Sequence, residues 1–248
     1  MEELKSRQSA VIRRIRSISR DAEARKECGL FLCDGEKLLK EAIRSRATVC
    51  HVLWKQKRAE NYPVFEYEYL LPESLFDYAS PMKNSAGPLF TVRIPEKEET
   101  GETRNALLLE EIQDPGNLGT ILRTADAFGI DTILLLEGCA DLYAPKTVRA
   151  TMGAIFRQRV RQMRREDAIL FCREHSMQIY ATALSDRAQD LRTLNLSRSA
   201  VAIGSEGHGL SPELKELCDG EVIIPMSGEA ESLNAAVAAA IVMWEMCR

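Results

Sequence analysis

ALLLEEI (106–112), NLGTILRTADAFG (117–129) and DTILLL (131–136) decide the fold. Two continuous apolar runs flank a segment of helical period. A strand exposed on one face alternates apolar and polar residues, whereas a strand covered on both faces does not. The runs therefore predict neighbouring strands of a buried parallel sheet joined by a helix, with Gly129 as its C-cap.

The same alternation continues downstream. EDAILFCREHS (166–176) reads as a helix, and QIYATAL (178–184) and SAVAIG (199–204) as strands. SPELKEL (211–217) opens with a capping serine and a proline at the first helical position. EVIIPM (221–226) is a strand running into a loop, and SLNAAVAAAIVMWEMC (232–247) a long terminal helix. Upstream, EKEETGETR (96–104) carries no large apolar side chain and predicts a linker. Before it, Leu4, Val11, Ile12, Ile15 and Ile18 have helical spacing over residues 4–18. GLFLCDG (29–35), TVCHVLW (48–54) and LFTVRI (89–94) read as strands, and EKLLKEAI (36–43) as a helix. The expected organisation is a small α/β unit over 1–95, a linker over 96–104 and a larger α/β domain over 105–248.

Composition is that of an ordinary globular enzyme. No apolar run reaches the roughly 18 residues that span a bilayer. The basic start lacks the apolar core of a signal peptide, so the expected compartment is the cytoplasm. Seven cysteines with no CxxC pair predict reduced thiols, several of them in the core. His51, His175 and His208 are dispersed and form no HExxH, so no metal site is expected. The formal charge of −4 hides an asymmetry: residues 1–60 hold 15 basic and 9 acidic side chains, the remainder 18 and 28. Arg13, Arg14, Arg16 and Arg20 make the first helix either a nucleic-acid contact or a solvated face.

Three loops follow predicted strands, where open α/β sheets bind ligands. In QDPGNLGTILRTADAFGI (113–130), Asn117 sits at the helix start and Arg123 projects from the early helix. In AIGSEGHGLSPEL (202–214), three glycines make a turn of exposed backbone N–H groups. It is neither GxGxxG nor a P-loop, and Glu206 disfavours phosphate. In IIPMSGEAESLNAAVAAAI (223–241), Ser232 and Asn234 are both good caps for an Ala-rich helix. Taken singly, each loop also reads as ordinary helix capping.

Together the loops resemble the SpoU/TrmH family of RNA 2′-O-methyltransferases, in the SPOUT superfamily. NLGTILR, IGSEGHGL and IPMSGEAESLNAAVA are similar to its three motifs, in order, across about residues 105–248. KTVRATMGAIF (146–156) is similar to a further family segment, with Thr151 where serine is usual. The amino-terminal region resembles a substrate-binding domain often attached to these enzymes, with Ala86-Gly87 where relatives have Gln-Gly.

The resemblance implies a parallel sheet ending in a trefoil knot, with a smaller RNA-binding α/β domain before it. It implies S-adenosylmethionine, bent in the knot and held by Gly204, Ile224, Met226 and Leu233. It implies a homodimer formed through the knotted region, and RNA as substrate, ribosomal more than transfer. The implied catalytic set is Arg123, Asn117, Glu206, Ser232 and Asn234. Arg123 would hold an RNA phosphate and orient the 2′-oxygen, since guanidinium is a poor base, and the phosphate, water or a transiently deprotonated arginine would accept the proton. Asn117 would fix the loop around Arg123. Glu206 would hold Arg123 or another partner, and Ser232 and Asn234 would bond near the ribose and donor. Two other readings stay open here: an RNA-binding module that keeps the fold without the catalysis, and a methyltransferase acting on a base. A binding module has no need of all five residues, and Asn-x-Gly-x-x-x-Arg favours ribose chemistry.

Overall fold

The computed structural model describes residues 1–55, 57–58, 61–95, 101–228 and 231–248. The chain divides into two compact units: Met1–Lys97 with Asp141–Phe156, and Glu98–Ala140 with Arg157–Arg248.

The first unit runs β1 (Glu2–Glu3), α1 (Ala10–Arg20), α2 (Ala22–Cys28), β2 (Leu30–Asp34), α3 (Glu36–Arg44), β3 (Val49–Lys55), β4 (Tyr67–Leu71), α4 (Glu73–Ala79) and β5 (Leu89–Arg93). Its sheet has the order β1-β4-β3-β5-β2, with β5 antiparallel to both neighbours. Ile12, Ile15 and Ile18 recur at helical spacing and are fully buried along α1. Leu4 is buried too, but outside any helix, and its N–H donates to the Leu70 carbonyl. The helix expected over 4–18 therefore begins only at Ala10, and residues 2–3 form an edge strand instead.

The second unit opens with β6 (Ala106–Leu109), α5 (Pro115–Phe128) and β7 (Thr132–Leu135). Residues 141–156, with α6 (Pro145–Ala150), belong to the first unit. The second resumes with β8 (Val160–Gln162), α7 (Arg165–Glu174), β9 (Gln178–Thr182), β10 (Gln189–Asp190), β11 (Ser199–Ile203), α8 (Pro212–Leu217), β12 (Gly220–Ile223) and α9 (Ala235–Met246). All seven strands are parallel, in the order β10-β12-β9-β11-β6-β7-β8. Every residue of β6, β7 and β11 is buried, as continuous apolar runs require. Ala106, Leu108, Leu134, Ala200 and Ala202 pack with α7 and α8 on one face. On the opposite face α9 returns from β12 to pack against α5 and β11. Gly129 ends α5 in the left-handed conformation, at φ 67°.

Residues 96–100 of the expected linker lie outside the described residues. The rest of it is anchored in the second unit. Thr103 is buried with its hydroxyl against that of Thr132, and the Arg104 N–H donates to Asp131. The segment 141–156 departs more from expectation, because it lies within 105–248 yet packs into the first unit. Val148, Tyr143, Ile155 and Phe156 join the cluster of Phe31, Leu39 and Trp54. The Arg25 guanidinium, buried, pairs with Asp141 and donates to the Ile18 carbonyl. Residues 105–248 alone would expose this apolar face, at roughly 1.5–3 kcal/mol for each large side chain uncovered. That fragment is expected to be poorly soluble, or to melt several degrees below the full chain. A soluble fragment with the full chain's melting temperature would contradict this.

Seven cysteines are free thiols. Burial pushes Cys172 and Cys218 up to about 12 and Cys139 to about 11, which keeps them protonated. Among the described residues no set of three or more His, Cys, Asp or Glu converges on a metal position. Among them, too, no helix is long and apolar enough to cross a membrane.

Candidate active site

In a parallel sheet all carboxyl ends share one edge, and the loops after β6, β11 and β12 meet there. Glu206, in the glycine turn after β11, is their junction. Its Oε1 accepts from Asn117 Nδ2 (2.6 Å), Asn234 Nδ2 (2.6 Å) and the Ala235 N–H (3.2 Å). Asn234 Nδ2 also donates to Asn117 Oδ1 at 3.2 Å. Asn234 Oδ1 accepts from the Ala236 and Val237 N–H groups, so Asn234 is the N-cap of α9. A carboxylate at a helix N-terminus also gains from the helix dipole. Among the described residues Glu206 Oε2 forms no hydrogen bond, and the residue is exposed.

The turn itself is closed by its own backbone. Ser205 and Gly209 exchange N–H···O bonds of 3.1 and 2.9 Å. A Cβ on Gly204 would lie 2.2 Å from the Gly209 carbonyl carbon and 2.4 Å from the Leu210 nitrogen. Glycine at 204 is thus required by the turn, whatever else approaches it. The expected donor contacts Ile224, Met226 and Leu233 are half-buried. Among the described residues the backbone groups of Met226 and Leu233 form no hydrogen bond. Apolar side chains beside unsatisfied amide groups suit a flat heteroaromatic ring with polar edges, so these residues fit an adenosine.

Arg123 stands apart from the cluster. It is exposed on α5 and, among the described residues, has no hydrogen bond or ion pair. Of the two expectations for Glu206, Arg123 or another partner, the structure shows the second: Asn117, Asn234 and the first amide of α9 take that carboxylate. Helix geometry is the reason: six residues on from Asn117 is about 240° around the axis and about 9 Å along it. Ser232 is exposed and, among the described residues, makes no hydrogen bond; the preceding Glu229 and Ala230 lie outside them. In the first unit Arg13, Arg14 and Arg20 are exposed on α1. Arg16 is engaged: its guanidinium lies 3.7 Å from the Tyr78 ring centroid and donates to the Tyr78 carbonyl.

Glu110 is a residue the sequence reading missed. It follows β6, is 4% exposed, and accepts from the Ser211 N–H (2.7 Å), Ser211 Oγ (2.8 Å) and Arg165 Nη2 (3.0 Å). Ser211 in turn caps α8, so Glu110 anchors the far end of the Glu206 turn. A charged residue at the end of an all-apolar strand was the available signal. Glu110→Ala would leave the Arg165 guanidinium without its carboxylate, and Arg165 Nε is already buried without a partner. We expect a loss of about 3–5 kcal/mol in denaturant unfolding. A change below about 1 kcal/mol would show that the anchor is dispensable.

Between α5 and α9 runs an apolar groove of about 510 Å³, lined by Thr120, Thr124, Phe128, Val237 and Trp244. It ends at Asn117 and Asn234. Trp244 is 58% exposed and Val237 49%, a large apolar area to leave in water.

This sheet and its three joined loops are shared with RNA methyltransferases of known structure. The structure superimposes on an S-adenosylmethionine-bound rRNA methyltransferase from Sinorhizobium meliloti with a TM-score of 0.86 and 27% identity, covering 99% of this chain and 97% of that one. It superimposes on a structure from Porphyromonas gingivalis assigned to the TrmH family of RNA methyltransferases with a TM-score of 0.85 and 32% identity, covering 97% and 98%. The 23S rRNA (guanosine(2553)-2′-O)-methyltransferase RlmP of Bacillus subtilis is 33% identical over 90% of each chain. The chain belongs to the SpoU rRNA methylase family, whose model matches residues 104–244.

Proposed function

We propose that this chain methylates a ribose 2′-hydroxyl of ribosomal RNA, using S-adenosylmethionine. The observation that carries the reading is the single oxygen of Glu206 that draws Asn117 and Asn234 together from three loops. The 2′-O chemistry and the ribosomal substrate follow the Bacillus subtilis relative. Such a substrate places the work in the cytoplasm.

When bound, S-adenosylmethionine supplies an electrophilic methyl on a sulfonium sulfur. Met226 and Leu233, whose backbone groups form no hydrogen bond among the described residues, and Ile224 would hold its adenosine. Gly204 holds the turn closed beside them. Arg123, which has no partner among the described residues, takes the RNA phosphate in a bidentate fork and so orients the 2′-oxygen. The hydroxyl proton passes to water or to the phosphate. Glu206 holds the loops through Oε1, which leaves Oε2 to accept from a ribose hydroxyl. Ser232, exposed beside Leu233, donates to the donor or the ribose.

The α5–α9 groove seats a second copy of the chain, which places the partner beside Asn117 and Asn234. Val237→Arg is expected to give a monomer by light scattering, with methyl transfer lost in step. A dimer that survives Val237→Arg would remove the groove from the interface. The return of the chain from β12 to α5 is threaded as a trefoil knot in this reading. Stretched by its ends, a knotted chain stops short of its full contour length.

The test is transfer of labelled methyl from the donor to ribosomal RNA by the purified full chain. Label in alkali-resistant dinucleotides supports ribose methylation. Label on a base, or none, would overturn it.

A further inference from the structure

Two arginines share one aromatic ring in the first unit. The guanidinium of Arg7, before α1, lies 4.4 Å from the Tyr78 centroid, and that of Arg16 lies 3.7 Å from it. They are therefore no more than about 8 Å apart, close enough for like charges to repel. One such stack is common packing. A second on the same ring adds repulsion between like charges. Among the described residues neither arginine has an ion pair. The nearby carboxylates of α4, Asp77 and Glu73, both pair with Lys55, at 2.9 and 3.0 Å. Arg16 is further fixed by donating to the Tyr78 carbonyl at 2.5 Å. That bond uses one N–H of Arg16; among the described residues its other N–H groups and those of Arg7 form no hydrogen bond, and guanidinium N–H groups match a phosphate.

We propose that Arg7 and Arg16, held over Tyr78, form a clamp for one phosphodiester of the RNA backbone. This rests on the reading of RNA as substrate. An anion held by both guanidinium groups offsets their repulsion, and the ring already restrains both side chains, so that little side-chain freedom is lost on binding. Arg13 and Arg20 fall on the same stripe of α1 as Arg16, at spacings of three and four, and extend the track along the backbone. The clamp positions RNA and reads no base.

The test measures binding of a labelled ribosomal RNA fragment to the full chain across salt concentrations. Arg7→Ala and Arg16→Ala should each weaken binding on the order of tenfold. The double variant should lose less than the product of the two, since both groups serve one phosphate. Tyr78→Leu should weaken binding on the order of fivefold with every charge retained, while Tyr78→Phe stays within about twofold. Arg173→Ala, which removes one exposed charge on α7, is the control and should stay within about twofold. Circular dichroism and melting temperatures verify that each variant is folded. Tyr78→Leu binding like wild type would overturn the clamp, and so would multiplicative losses for the two arginines. If wild type methylates RNA while every clamp variant behaves normally, the clamp falls and the methyltransferase reading stands. If wild type neither binds nor methylates RNA, both fall.

Discussion

Arg123→Ala lowers methyl transfer on the order of 10²–10³-fold and leaves donor affinity within about twofold. The structure makes this a clean experiment. Arg123 is exposed and, among the described residues, has no partner, so its removal strands no buried group. Stability should move by no more than about 0.5 kcal/mol, as for other surface substitutions. A lost rate therefore cannot be charged to unfolding. Arg123→Lys should recover little, because an ammonium keeps the charge but not the planar fork. Near-normal turnover by the alanine variant would take Arg123 out of the chemistry.

Glu206→Ala should cost both donor affinity and rate. Asn117 Nδ2, Asn234 Nδ2 and the Ala235 N–H all point at one oxygen, and with it gone the three loops lose their common anchor. Charge-assisted bonds of this kind are about twice as strong as neutral ones. We expect donor affinity to fall on the order of 10²-fold, and methyl transfer further. Glu206→Gln keeps an acceptor oxygen in place and loses only the charge, so it should fall between, at roughly tenfold. The two variants separate a structural junction from a mere surface carboxylate. Wild-type donor affinity in Glu206→Ala, measured by calorimetry, would show that the network does not hold the site.

Much of the second unit could be read directly, because β6, β7 and β11 are buried on both faces and so are written as unbroken apolar runs. β4 could not. Its Tyr67-Glu68-Tyr69 looks polar, and only the fold shows that Glu68 is buried against Trp54 and Arg58. Residues 141–156 were assigned with their sequence neighbours, since nothing local says that Val148 and Phe156 belong beside Phe31. At the site, the motifs named Asn117, Glu206 and Asn234 but not their pairing. That pairing follows from strand order, which brings the ends of β6 and β11 side by side. The angle of Arg123 around α5 was calculable from sequence alone, but it bears on Glu206 only once the bond from Asn117 to Glu206 is known. Glu110 was hidden by its apolar neighbours, although a carboxylate ending such a strand needs a buried partner.

The most direct test of the central claim is a map of ribose methylation across the ribosomal RNA of cells with and without this protein. The account predicts one 2′-O-methyl nucleotide that disappears with the protein, returns with the wild-type chain, and does not return with Arg123→Ala. An unchanged ribose map, or a lost methyl that proves to sit on a base, would contradict it.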